Sequence, residues 1–192
     1  MTEFFKPISF DLWPREKAAF SSALGRSFRE TGFAVISAHP IPQSVIDRAV
    51  NASKAFFALP ENTKEKYHDA AGGRQRGYTP FATENAKGAK AADLKEFWHT
   101  GRALPDGSPY KATMKDTPDV PEVVEFDEAT RAFYEAMDAF GAQLLHAVAL
   151  HLGLPETWFD SKVQYGNSIL RLLHYPPQEN PPAKGTVRAG AH

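Results

Sequence analysis

The feature that most constrains this chain is an apolar stripe. Phe126, Ala129, Phe133, Met137, Phe140, Leu144, Val148 and Leu152 recur every three or four residues. That spacing places them on one face of a single long amphipathic helix, and Gly153-Leu154-Pro155 ends it. A stripe of that length needs a broad apolar partner. Upstream, Ala19, Phe20, Ala23, Leu24 and Phe28 keep helical spacing between Pro14 and Glu30, with Thr31-Gly32 as the stop. Gln43 to Leu59 reads as a further helix, and Glu61 to Tyr67 as a short polar one.

Strand signals are fewer. Lys6 to Leu12 alternates apolar and polar residues, Phe33 to Ser37 is a buried-strand candidate, and Phe97-Trp98-His99 is another. Val163 to His192 has room for two more. The pattern predicts an α+β fold whose N-terminal region, residues 1–160, is helix-rich. The sheet gathers only in residues 161–192, so the domain reads as cut short. No internal repeat, low-complexity tract or domain boundary is visible, and residues 1–192 read as a single domain.

Composition excludes several function classes. With 22 Lys+Arg against 23 Asp+Glu, the net charge of -1 gives no electrostatic footprint for nucleic acid. Cysteine is absent, so a metal would need His, Asp or Glu ligands. No apolar run approaches the roughly 20 residues that span a bilayer, and no signal-peptide core opens the chain. A cytoplasmic protein is the expectation, with its oligomeric state open. The cluster Arg74, Gln75, Arg76 among glycines reads as a solvated loop.

Chemistry is sparse in the local sequence. On a strand from Ile169 to Tyr175, Arg171, Leu173 and Tyr175 share one face, and Leu170, Leu172 and His174 share the other. Both faces are largely apolar, so burial on both sides is expected. A buried guanidinium requires a counter-charge. With Tyr175 beside it, Arg171 suits a small carboxylate ligand; an internal Asp or Glu is the alternative partner. The seven histidines form no cluster at ligand spacing. His146 and His151, five apart on the long helix, do not share a face and read as structural.

Several blocks, in order, nevertheless resemble a known family. KPISFDL, ETGFAVISAHPIP, KAFFALPENTKEKY, RGYTPF, DLKEFWHTG, LRLLHYPP and VRAGAH are similar to segments of the Fe(II)/2-oxoglutarate-dependent oxygenases of the isopenicillin N synthase-like group. The resemblance implies a double-stranded β-helix (jelly-roll) core beginning near residue 161. It implies Fe(II) as cofactor, 2-oxoglutarate as cosubstrate, and oxidation of a small organic substrate by O2 with release of succinate and CO2. It also implies that His192 is the first iron ligand, with the partner aspartate due two residues on, at a position the chain does not reach. Tyr175 matches the family tyrosine that holds 2-oxoglutarate. Leu173 and Arg171 depart from the plant members, so Arg171 could meet either the cosubstrate or an anionic substrate. Tyr78, Phe81 and Glu84 fall where relatives line the substrate entrance; ordinary lid packing is the alternative. Two other readings remain: an oxidase that uses no 2-oxoglutarate, and a non-catalytic fragment or binding module if the chain ends at residue 192.

Overall fold

A computed structural model describes residues 6–84, 92–178 and 186–189. The chain folds as a mixed α/β protein in two compact units, Met1–Ser44 with Glu135–Gly166, and Val45–Tyr134 with Asn167–His192. Helices α2 (Gln43–Phe57) and α4 (Phe126–His151) both run through the division. No helix among the described residues is long and apolar enough to cross a membrane.

In the first unit, strands β1 (Ile8–Ser9) and β2 (Ile36–Ser37) pair in parallel through helix α1 (Lys17–Thr31). Gly32 ends α1 as expected, in the left-handed conformation at φ 77°. Both strands are shorter than the sequence predicts. Ser9 accepts the Asp11 backbone N–H, and Phe10–Leu12 closes into a 3-10 turn instead of extending the strand. The Phe33–Ser37 segment is not buried, since Phe33 is 68% exposed and Val35 43%. The Ser27 and Thr31 hydroxyls donate to the Phe33 carbonyl and hold the chain out as it leaves α1. Phe10 anchors this unit, edge-on to Phe20 at 5.5 Å and to Phe140 at 5.0 Å. His146 pairs with Asp160 at 2.8 Å, on the short helix α5 (Asp160–Val163).

Helix α4 matches the predicted span, but the stripe is only partly covered. Phe126, Ala129 and Phe140 are buried, whereas Met137 is 43% exposed and Leu152 58%. Tyr134, Ala147 and Ala149 are buried without belonging to the stripe.

The second unit carries a three-stranded antiparallel sheet in the order β3 (Gly77–Thr79), β4 (Glu96–Gly101), β5 (Ile169–His174). Strand β4 is central and buried on both faces. One face supplies Tyr78, Trp98 and Leu172 to a core completed by Phe56 and Phe57 of α2 and Phe126 of α4. Trp98 meets Phe56 at 4.9 Å and Phe126 at 5.0 Å. Burying each such side chain stabilises by roughly 1.5–3 kcal/mol.

Strand β5 corrects one expectation. Its residues alternate between exposed and half-buried, with Ile169 37% and Leu173 47% exposed, so it is not buried on both sides. Among the described residues it pairs only with β4, and one of its faces lacks a covering layer there. Its far end leads to the segment 186–189, where the Val187 carbonyl accepts the Leu94 N–H at 3.0 Å.

Candidate functional site

Register decides which polar groups meet. Antiparallel pairing sets His99 opposite Arg171 and Glu96 opposite His174, on opposite faces of the sheet. Each pair is hydrogen-bonded across the strands, and each gathers a cluster of its own.

On the core face, Glu96 is 4% exposed and takes three donors. Lys64 Nζ reaches it at 2.7 Å, His174 Nδ1 at 2.7 Å, and the Tyr78 hydroxyl through a short bond. Burial alone would raise the Glu96 pKa; the Lys64, Tyr78 and His174 hydrogen bonds outweigh it and hold the carboxyl below its ordinary range. The Tyr78 phenol moves the opposite way, raised first by burial and then by Glu96. His174 also stacks on Phe57 at 5.0 Å. This hub ties together helix α3 (Glu61–Lys64) and all three strands.

On the other face, the Arg171 guanidinium lies 4.4 Å above the Phe97 ring. Its Nε donates to His99 Nε2 at 2.7 Å. The opposite ring nitrogen, Nδ1, lies 2.8 Å from the Arg74 carbonyl, which can only accept. The proton therefore sits on Nδ1, leaving the Nε2 lone pair for Arg171. Burial pushes the His99 pKa down to about 4, only partly offset by the Arg74 carbonyl. A neutral ring is what an acceptor to arginine has to be.

Arg171 Nη1 also meets both Glu84 oxygens, at 3.2 and 3.3 Å. Glu84 is shared with Lys95 at 2.9 Å, and Lys95 with Asp93 at 2.8 Å. Burial would raise the Glu84 pKa, but Lys95 and Arg171 hold it below the usual carboxylate range. Arg171, Glu84 and His99 border a cavity of about 420 Å³ that Phe97, Ile169, Asn167 and Gln75 also line. A second, more apolar cavity of about 610 Å³ lies between α2 and β5, walled by Phe57, Phe133 and Leu172, with Lys54, Arg171 and His174 also lining it.

The internal carboxylate that sequence reasoning held in reserve for Arg171 is thus Glu84. Arg171 is half-exposed rather than buried, with 40% of its side chain open to solvent. Of the three expected wall residues, Glu84 lines a cavity and Phe81 is half-buried. Tyr78 is 1% exposed inside the core, its hydroxyl engaged by Glu96. Tyr175 is half-buried just past the end of β5, and His192 lies outside the described residues. The loop expected to be solvated is not so throughout. Arg76 is 5% exposed, donates to Asn167 at 2.7 Å, and packs so closely on Gly101 that a Cβ there would come within 2.0 Å of its guanidinium.

Sequence reasoning missed Glu96, His99 and Lys64. A signal existed: Glu96 and His99 interrupt an apolar strand, and buried charged or polar groups require partners. Among the described residues, no three His, Cys, Asp or Glu side chains converge as a metal site.

Comparisons with known proteins agree with the fold. The family model described as the N-terminal part of the non-haem dioxygenase in morphine synthesis matches residues 7–123. A proline hydroxylase of Petromyces alliaceus is 32% identical over 185 residues, covering 93% of this chain and 56% of the relative. A 2-oxoglutarate-Fe(II) type oxidoreductase of Emericella nidulans is 30% identical over 169 residues, 84% of this chain and 48% of its own length. Among solved structures, a 2OG-Fe(II) oxygenase family protein from Caulobacter crescentus is 46% identical with a TM-score of 0.88, covering 98% of this chain and 60% of that one. A full-length Neurospora crassa protein in complex with alpha-KG gives a TM-score of 0.80 at 27% identity, with the same coverages. The chain spans about half the length of the curated relatives it matches.

Proposed function

The chain belongs to the Fe(II)/2-oxoglutarate-dependent oxygenases of the isopenicillin N synthase-like group, and from that premise we propose that the protein oxidises a small organic substrate with O2, converting 2-oxoglutarate to succinate and CO2. The observation that carries this reading is the likeness to the Caulobacter crescentus oxygenase across 98% of the chain. Residues 161–192 then open a jelly-roll core, with β5 among its first strands.

Bound iron and 2-oxoglutarate together supply the oxidising power drawn from O2. The chain's own residues bind and orient. Tyr175, carried out of β5, offers a phenol donor to a cosubstrate carboxylate. Arg171 supplies a cation fixed in plane by His99 and Phe97, a charge that suits a carboxylate-bearing cosubstrate or an anionic substrate. Glu84 stands on the substrate wall and Phe81 near it, while Tyr78 supports that wall from the core. His192 is the iron ligand in this reading, by the match of VRAGAH to the family's iron motif. The bond from Leu94 N–H to the Val187 carbonyl supports it, because it holds Val187, five residues before His192 in the sequence, beside the stretch that leads into β4.

The test is 2-oxoglutarate-dependent succinate release by the full-length gene product. We expect His192→Ala to abolish it; undiminished turnover in that variant would remove His192 from the iron site.

A further inference from the structure

The pairing of Arg171 with Glu84 is weak in a particular way. Its contacts of 3.2 and 3.3 Å are long beside the roughly 2.7–2.9 Å of a good charge-assisted bond. Both side chains are about a third or more exposed, at 40% and 33%, and ion pairs this open contribute little. The rest of the guanidinium is firmly held, by His99 on Nε and by Phe97 beneath. Nη2 has no hydrogen-bond partner among the described residues. Arg171 is therefore a rigid cation with a loosely attached counter-ion.

Glu84 has a second place to go. Lys95, with only 10% of its side chain exposed, already holds it at 2.9 Å. Detaching Glu84 from Arg171 therefore leaves neither a stranded carboxylate nor an unpaired buried lysine. The neighbouring cavity has Phe97 and Ile169 as apolar walls and the Asn167 and Gln75 amides as polar ones. At about 420 Å³ it falls in the lower part of the range for small-ligand sites.

We propose that Glu84 is a placeholder on Arg171, occupying the seat that the carboxylate of a small monocarboxylic acid with a compact apolar body takes when it binds as substrate. The incoming carboxylate displaces Glu84 onto Lys95 and spans Nη1 and Nη2, where Glu84 meets Nη1 alone. Its apolar body lies against Ile169, the exposed apolar side chain of the cavity wall. His99 is the positioning residue: it grips Arg171 only while its Nε2 carries a lone pair, and Arg171, Glu84 and Arg76 are the charged groups that face it. The assignment to substrate rests on the oxygenase reading, with 2-oxoglutarate held elsewhere, by Tyr175.

Phenylacetate is the probe, with uncharged phenylacetamide and 2-oxoglutarate as comparators. Binding is followed by NMR on the Arg171 Nε–H signal and by calorimetry. Phenylacetate should shift that signal and phenylacetamide should not. Arg171→Gln should weaken phenylacetate binding at least tenfold. Glu84→Gln, which removes the competitor while keeping its shape, should tighten it at least threefold. A misfolded variant cannot bind more tightly, so the Glu84 result separates the proposal from damage to the fold. The proposal is overturned if Glu84→Gln weakens binding or leaves it unchanged, if the amide binds as well as the acid, or if Arg171 responds to 2-oxoglutarate alone. Succinate release is scored independently. A protein that releases succinate while Arg171 ignores phenylacetate overturns the placeholder alone. One that binds phenylacetate through Arg171 yet makes no succinate overturns the oxygenase reading alone.

Discussion

The two faces of the β3–β4–β5 sheet use the same three strands and similar residue types to opposite ends. Each has a carboxylate, a histidine and one or two cations. On the core face Glu96 is buried, its three donors lie at hydrogen-bond distance, and aromatic rings seal it. On the other face Glu84 is partly open, divided between two cations, and set beside a cavity. Burial makes the difference. A fully desolvated carboxylate has to be satisfied completely and becomes a fixed strut; a half-solvated one tolerates loose partners and can exchange them.

The strongest way to break the contrast is Glu96→Gln. The change keeps the shape but leaves the Lys64 ammonium, 7% exposed, without its counter-charge. Removing one partner of a buried pair costs on the order of 3–5 kcal/mol, so urea denaturation should show a midpoint far below wild type. A loss under about 1 kcal/mol would mean that water reaches this face and that the two clusters do not differ in kind.

His99 sharpens the comparison through pH. Its pKa falls from 6.5 to about 4 on folding, so at pH values between these the unfolded chain binds a proton that the folded chain refuses. Its contribution is fully present above pH 6.5, shrinks as pH falls, and is gone near 4. The shift corresponds to about 3 kcal/mol at most. Stability measured from pH 7 down to 4 should therefore decline more steeply in wild type than in His99→Gln; parallel curves would show that the ring is not held neutral.

The smallest effect is expected on the open side of β5. Leu173 is 47% exposed, and Leu173→Gln should change stability by no more than about 0.5 kcal/mol, as other exposed substitutions do. Leu172 packs on the core one residue away, and the same change there should cost several times more by the same denaturation assay. Equal costs would mean that both faces of β5 are covered.

Much of this was legible in the chain. The helices α1, α2 and α4 announced themselves through apolar spacing, because a 3.6-residue period has to appear in the sequence of any half-buried helix. The ordered blocks from KPISFDL to VRAGAH pointed to the family. Arg171 stood out as a charge in an apolar strand whose counter-charge had to come from somewhere. The clusters could not be read in the same way. Glu84 lies 87 residues from Arg171 and His99 72, and no local pattern encodes such pairings. A two-residue strand such as β1 is too short to carry a period at all.

The sequence by itself determined the helical scaffold, the family, and the fact that strand β5 carries one arginine needing an anion, because spacing and residue type act locally. Only the tertiary structure decided which anion, and with what freedom. Strand register set His99 against Arg171 and Glu96 against His174, and the packing of α2 and α4 on one face alone made one cluster a strut and left the other open. A one-residue slip in that register would have exchanged the two faces, since side chains alternate along a strand.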